Sequence, residues 1–505
     1  MRRSVSLALC FGVLVACSDS LPVELNRAPA PRANAVIASP SSRYAVLFKG
    51  AAPRGFAEGV GALGGTIELL HARAGIALVS GLSFDAASAL RGDAAIDAVA
   101  EDFSYQLSQP REPIVKMAGF AWSEVDASSQ SNPTSAGFYA LQWNHRAIGA
   151  HTAWAHGILG SDQVTVAILD SGIDYSHPDL NGLVDLVRSK SFVPSDTVFL
   201  RRPFFPGRHE ISDFNGHGTI VASTVSSKAI GNAGVTSRVK LMGVKVLGWN
   251  GTGAFGGLLE GILHATDNGA DVINMSLGFE PFPRSDEDAK AAEKFIDRLT
   301  KYARAAGVTM VVASGNNGLL LRPNTSGLVA IFCSSKNVIC VSATGPLSAG
   351  PDDEGPFLPH VDLWASYSTH GMQAIDVAAP GGNATATTAS FVWGSCSRTW
   401  LVRLASGAFV APCRNPNFIF TLGGIGTSAA SPHVAGLAAL LVERMGRNPG
   451  AIEAAIQNSS DDVPFGKPGM DDEYGHGRIN VVKALGLSMD HTMPQLTGDA
   501  AIRTP

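Results

Sequence analysis

Short runs of apolar, often β-branched residues recur along the last two thirds of the chain: VTVAIL (164–169), KLMGVKVL (240–247), DVINMSL (271–277), VTMVVAS (308–314) and NVICVSA (337–343). They lack the in–out alternation of a half-exposed strand, which predicts strands covered on both faces, as in a parallel sheet. Helical periodicity fills the gaps: after His217, through GGLLEGILHATDNG (256–269), and along a charged amphipathic stretch at about 286–306. Strands alternating with helices predict an α/β fold over 141–487, a doubly wound, mostly parallel sheet with its functional residues at the carboxyl ends of strands. The N-terminal pattern differs. YAVLFKG (44–50) predicts a strand and RGFAEGVGALGG (54–65) a helix. TIELLHARAGIALVSGL (66–82) predicts two strands, SFDAASALRGD (83–93) a helix N-capped by Ser83, and AIDAVAEDF (95–103) a last strand. Residues 43–107 therefore read as a separate small α+β unit of order β-α-β-β-α-β. Periodicity is lost over 108–138, where SSQSNPTSAG (128–137) reads as an exposed linker of the kind proteases cut, and again over the tail 488–505.

Composition narrows the partners. The 505 residues carry 45% hydrophobic and 16% charged positions with a net charge of −5 and no Lys/Arg-rich run, so nothing points to nucleic acid. Arg2 and Arg3 precede an apolar run from Val5 to Ala16 that is too short to span a bilayer, which predicts a signal peptide over 1–17 and export. Leu14-Val-Ala-Cys17 resembles a bacterial lipobox, with Cys17 as the lipidated residue; ordinary signal cleavage with an incidental Cys17 is the alternative. Setting aside Cys10 and Cys17 leaves Cys333, Cys340, Cys396 and Cys413, which allow three pairings. The sequence-local one, 333–340 with 396–413, is expected, and each bridge would contribute roughly 2–3 kcal/mol on a chain-entropy estimate. Zinc is the competing reading, but no pair has C-x-x-C spacing.

The chemistry starts from GTSAASPHVAG (426–436), which holds two serines and a histidine. On a helix, Ser428 and His433 would stand ~7.5 Å apart along the axis and ~140° around it, and Ser431 and His433 would point to nearly opposite faces. A base must come within ~3 Å of the hydroxyl it deprotonates, so the base has to come from elsewhere in the chain. AILDSGIDYSHPDL (167–180) puts Asp170 just past a buried strand, and DFNGHGTIVAS (213–223) puts His217 between glycines at a helix start. Asp, His and Ser are the residue types of nucleophilic acyl transfer.

In this order and with these flanks, the chain resembles the subtilisin-like serine peptidases over about 141–487. The resemblance implies a subtilisin-like fold and an exported serine endopeptidase acting on proteins or peptides. Ser428 would be the nucleophile, His217 its base, and Asp170 the group that fixes the His217 tautomer. The glycines beside His217 would let substrate backbone pass, and Pro432 would fall where the first turn lacks N–H partners anyway. VVASGNNG (311–318) matches the family's oxyanion motif at Asn316, for which an αL turn residue between glycines is the plain alternative. GTG (Gly251, Gly253) and SLG (Ser276, Leu277, Gly278) resemble the two backbone edges that bind substrate as added strands, with Ser314 and Gly315 walling a pocket that has no clear acidic residue.

The 43–107 unit resembles the family's ferredoxin-like inhibitory propeptide, an intramolecular inhibitor whose tail AVAEDFSYQLSQP would fill the cleft. Membrane contact would then come only through a lipid on the precursor. Three departures stand out: an added loop near 192–211, with Arg201 and Arg202 read as solvated; an insertion holding Cys396 and Cys413; and a short SSKAIGNAG (226–234) where relatives carry a calcium loop. No cofactor is needed for the chemistry. Asp179 matches one calcium ligand, but Lys228 stands where oxygen ligands are wanted, so calcium stays open. A catalytically dead relative would show a substituted triad. A lipase needs G-x-S-x-G with Ser first of the three residues, and a structural lipoprotein leaves the three motifs unexplained.

Overall fold

The computed structural model describes residues 43–107, 116–121, 129–277, 282–283, 285–321, 327–346, 361–383 and 390–488. Its centre is an eight-stranded sheet. The order across it is Leu363–Trp364, Ile339–Gly345, Thr309–Ala313, Val272–Met275, Thr165–Asp170, Lys240–Lys245 and Lys190–Ser191, with Val377–Pro380 also paired to Ile339–Gly345. All pairings are parallel except that of Leu363–Trp364.

The reason for the uninterrupted apolar strands is visible in Thr165–Asp170, where every residue is buried. Val166 and Ile168 face one cluster, with Val221 and Ala222 of helix His217–Val225 and Ala430, Val434 and Leu437 of helix Thr427–Met445. Ala167 and Leu169 face the other, with Leu258 and Ile262 of helix Phe255–Asp267 and Phe295 and Leu299 of helix Glu287–Ala305. A strand with helices on both faces has no solvent side, so the alternation disappears.

Residues 43–107 form four antiparallel strands in the order Thr66–His71, Ile76–Ser80, Tyr44–Phe48, Ile96–Glu101, with helices Phe56–Ala62 and Phe84–Arg91. Ser83 caps the second helix by accepting from Ala86 N–H at 3.1 Å. Val46 and Phe48 pack onto the unit's own helices, while Ala45 and Leu47 join Phe295, Ile296 and Leu299. Polar side-chain pairs ring this contact: Arg43 with Glu260 (2.6 Å), His71 with Asp267 (2.8 Å) and Lys294 with Asp97 (2.9 Å).

Two expectations change and one open point is decided. The linker region holds a strand, Lys116–Ala121, paired antiparallel with Phe418–Gly424. A short glycine-containing run gives no strand signal by itself, and its partner lies some 300 positions away. Second, Pro432 lies beyond the first turn of helix Thr427–Met445. The carbonyl its missing N–H would have served is that of Ser428, which instead accepts from Ser276 Oγ at 2.8 Å. The course of the 192–211 loop, which the sequence left open, is set by an ion pair and an aromatic cluster. Asp196 pairs with the fully buried Lys245 at 3.0 Å, and Phe199 and Phe205 pack with Phe214 and Leu401. Arg201 and Arg202 are exposed, as expected. The segment expected to be a signal peptide, with Cys17, and the tail from Met489 lie outside the described residues.

Candidate active site

Asp170 ends its strand fully buried, and its Oδ1 stands 2.8 Å from His217 Nδ1. The same oxygen accepts the Ser171 N–H at 2.7 Å. A carboxylate at Nδ1 puts the ring proton there, leaving Nε2 as the basic nitrogen. The turn before His217 is built around Asp213, a residue the sequence reading passed over. Its Oδ1 accepts from Asn215 N (3.0 Å), Gly216 N (2.8 Å) and Ser171 Oγ (2.9 Å); its Oδ2 accepts from Thr219 N (2.9 Å) and Oγ1 (2.6 Å). Burial pushes the Asp213 carboxyl up, while the nearby Lys245 ammonium and these donors oppose the shift. An Asp a few residues before a helix start, in DFNGHG, was the available signal.

The glycines flanking His217 have reasons inside the fold itself. Gly216 has φ +93°, with the Trp400 ring over it. A Cβ on Gly218 would fall 2.1 Å from the Gly172 carbonyl oxygen. These glycines let the Asp170 turn and the His217 helix meet at backbone contact.

Ser428 is the second residue of helix Thr427–Met445, which packs against the His217 helix. Thr427, also unremarked in the sequence, joins it to Asn316: Asn316 Oδ1 accepts from Thr427 N at 2.8 Å and Oγ1 at 3.0 Å. Both donors at Oδ1 fix which end of the amide is Nδ2. A Cβ on Gly426 would sit 3.0 Å from Ser428 Oγ and 3.6 Å from Asn316 Nδ2, so hydroxyl and amide border one small space that only glycine leaves open. Asn316 is not an αL residue: the left-handed conformation falls on Gly315, φ +106°. Ser431 and His433 are helix-face residues. Ser431 Oγ bonds Ser276 Oγ at 2.9 Å, and His433 gives Nδ1–H to Ala429 O at 2.9 Å. Burial pushes the His433 imidazole down to about 4.

The expected substrate edges divide. Thr252–Ala254 pairs antiparallel with Ser104–Gln106 of the small unit, and Leu107 N–H donates to Gly251 O at 2.8 Å. Tyr105 is buried there, its hydroxyl 3.3 Å from Val246 O, and a Cβ on Gly253 would fall 2.5 Å from the ring. Ser276, expected at the second edge, spends its hydroxyl on Ser428 O and Ser431, while Leu277 is buried. Gly278 lies outside the described residues. Ser314 turns its hydroxyl to Thr369 O at 2.9 Å, and Gly315 N–H donates to Thr427 Oγ1 at 3.1 Å.

Both local disulfides are formed, Cys333–Cys340 and Cys396–Cys413, with Cα separations of 5.4 and 6.1 Å. Asp179 does not fit a calcium ligand. Its carboxylate accepts from the N–H groups of Ile230, Gly231 and Asn232 and from Ser395 Oγ (2.6 Å), so its lone pairs are directed at donors. The short loop is folded around this carboxylate instead.

Comparison with known proteins agrees with the geometry. Residues 161–477 match the Subtilase family, Peptidase_S8. A thermophilic serine proteinase of Bacillus sp. strain AK1 is 31% identical over 329 residues, 65% of this chain and 62% of that protein. Thermitase of Thermoactinomyces vulgaris is 29% identical over 356 residues, 70% of this chain and 99% of thermitase. The crystal structure of the epidermin leader peptide processing serine protease from Staphylococcus aureus superposes with a TM-score of 0.62 at 20% identity, over 88% of this chain and 98% of that one. Fervidolysin from Fervidobacterium pennivorans superposes with a TM-score of 0.59 at 21% identity, over 89% and 62%.

Proposed function

The chain belongs to the subtilase family of serine peptidases, and on that premise we propose that it hydrolyses protein substrates through an acyl-enzyme on Ser428. His217 takes the Ser428 proton and returns it to the leaving amine; Asp170 holds the imidazole and stabilises its charged form. Asn316 Nδ2 and the Ser428 N–H bind the oxyanion. The observation that carries this reading is the 2.8 Å contact between His217 Nδ1 and buried Asp170, on a helix packed beside that of Ser428. Wild-type enzyme is expected to react covalently with a fluorophosphonate probe and Ser428→Ala is not. Labelling that persists in Ser428→Ala would refute the nucleophile.

The enzyme is made as an autoinhibited precursor. What supports this is the 104–107 segment, which occupies the 251–254 edge as an added strand, where an extended substrate would otherwise pair. Export by the 1–17 signal carries the precursor out of the cytoplasm, and lipidation at Cys17 tethers it. Cleavage within 108–138 then releases the catalytic part. Fractionation of wild type and Ser428→Ala tests the tether: active enzyme that stays with the membrane after cleavage ends the release idea.

A further inference from the structure

The insertion between the Asn316 and Ser428 segments has no part in the mechanism above, yet it grips the turn that carries His217. Strand Val392–Ser395 pairs with Phe418–Gly424, and between them Cys396 and Cys413 close a loop of sequence separation 17. Its first residues reach the 213–216 turn. Ser397 Oγ and Thr399 Oγ1 both donate to the Asp213 carbonyl, at 2.7 and 2.8 Å, and the Leu401 N–H donates to the Phe214 carbonyl at 2.9 Å. The Trp400 ring lies over Gly216; a Cβ there would meet its Cγ at 3.2 Å. Behind the turn, Gly394 is pressed on Ile220 and the Ser395 N–H donates to Ser223 Oγ at 2.9 Å, so the same insertion also braces the helix that begins at His217. Ser397, Thr399, Cys396 and Cys413 are all buried.

These contacts fall on the backbone of the residues immediately before the base, from a segment held in shape by a covalent bridge. An unbridged loop of this length would carry the conformational freedom of its many residues, and two hydroxyls aimed at one carbonyl need that freedom removed. We propose that the Ser397–Leu401 turn, clasped by Cys396–Cys413, is a positioning element for His217: it sets the orientation of the imidazole toward Ser428 without touching substrate. This rests on His217 being the base of the reaction.

The test uses enzyme matured from the full chain, with fluorescein-labelled casein as substrate and a fluorophosphonate as an independent probe of the activated serine. Ser397→Ala/Thr399→Val is expected to lower kcat about 10- to 100-fold with KM within about twofold, the scale of a displaced catalytic group. The acid limb of the kcat/KM profile should move to lower pH, because an imidazolium less well placed against Asp170 gives up its proton more readily. Thr399→Ser keeps the hydroxyl and should restore kcat. Cys396→Ala/Cys413→Ala should behave like the hydroxyl pair. Cys333→Ala/Cys340→Ala should keep kcat, since that bridge sits in a separate cluster with Leu321, Ala330 and Ile375. A scaffold role alone would lower the melting temperature and leave kcat and the acid limb in place. Folded Ser397→Ala/Thr399→Val with wild-type kcat and acid limb therefore overturns the proposal, even if the cysteine pair does not fold. A wild-type enzyme that neither turns over casein nor takes the probe overturns the functional reading beneath it instead.

Discussion

Asp170 Oδ1 holds two donors at once, the Ser171 N–H at 2.7 Å and His217 Nδ1 at 2.8 Å. Asp170→Asn keeps the size but puts an amide where an anion stabilised the imidazolium, so kcat on a peptide substrate should fall by about 10⁴-fold with the fold intact. A loss under tenfold would mean that the pair is structural. Asn316→Ala removes one donor to the developing oxyanion and should lower kcat about 10²- to 10³-fold with KM little changed, a magnitude of the kind seen in a subtilisin. Asp170, His217, Ser428 and Asn316 were legible as candidates because each has chemistry suited to acyl transfer and sits in a motif of small residues. Thr427 and Asp213 were not, because hydroxyls and carboxylates that orient backbone look like any others until the groups they bond are known. Pro432 shows the same limit, since the hydroxyl that serves the freed Ser428 carbonyl comes from Ser276, 152 positions away.

Among elements, the tail strand Ser104–Gln106 is the one whose role depends on what it covers. Tyr105 and Leu107 are buried on the 251–254 edge, while Ser104 and Gln106, which alternate with them along the strand, are exposed. Burial of an aromatic ring is worth roughly 2–3 kcal/mol, so Tyr105→Ala should weaken the tail's hold about 100-fold. If this tail inhibits the enzyme, progress curves of the precursor should then show a shorter lag before activity appears; an unchanged lag would count against inhibition by the tail. The Cys333–Cys340 bridge closes a short loop at sequence separation 7, and replacing both cysteines by alanine should lower unfolding free energy by roughly 2–3 kcal/mol. Denaturant melts of Ser428→Ala with and without the bridge measure this; equal midpoints would mean that the bridge adds nothing. Core strands and helices were readable because length and periodicity set them locally. The Lys116–Ala121 strand was not, since a partner strand supplies its order.

At the scale of the molecule, the Ser428 helix runs through a core that keeps histidines neutral. His433 and His145 are fully buried with ring centroids 5.6 Å apart, and His433 bonds Asn144 Nδ2 at 2.8 Å. Burial pushes both imidazoles down, His433 to about 4, and His145 is lowered further by its neighbour His433 and by Arg146. A histidine with a depressed native pKa is protonated first in the unfolded chain, so unfolding takes up protons as pH falls below the ordinary value near 6.5. Stability is therefore complete above about pH 6.5 and is lost as pH falls toward 4, by on the order of 3 kcal/mol from His433 alone. The melting temperature of Ser428→Ala should drop steadily between pH 7 and pH 4.5; a flat profile over that interval would mean that these rings are solvated.

Local order was set by the sequence alone: hydrophobic runs that must be covered on both faces, helix starts marked by glycine and serine, and an Asp, His and Ser each placed at an element's end. Such features depend on neighbours within a few positions. Tertiary packing decided what those residues face. Asp170 meets His217 across 47 positions, Asn316 meets Thr427 across 111, and Ser397 and Thr399 reach the turn before His217 across more than 180. Those contacts form only when the sheet brings distant segments to one edge, because a hydrogen bond needs its partner within about 3 Å and a side chain carries no record of which backbone will arrive there.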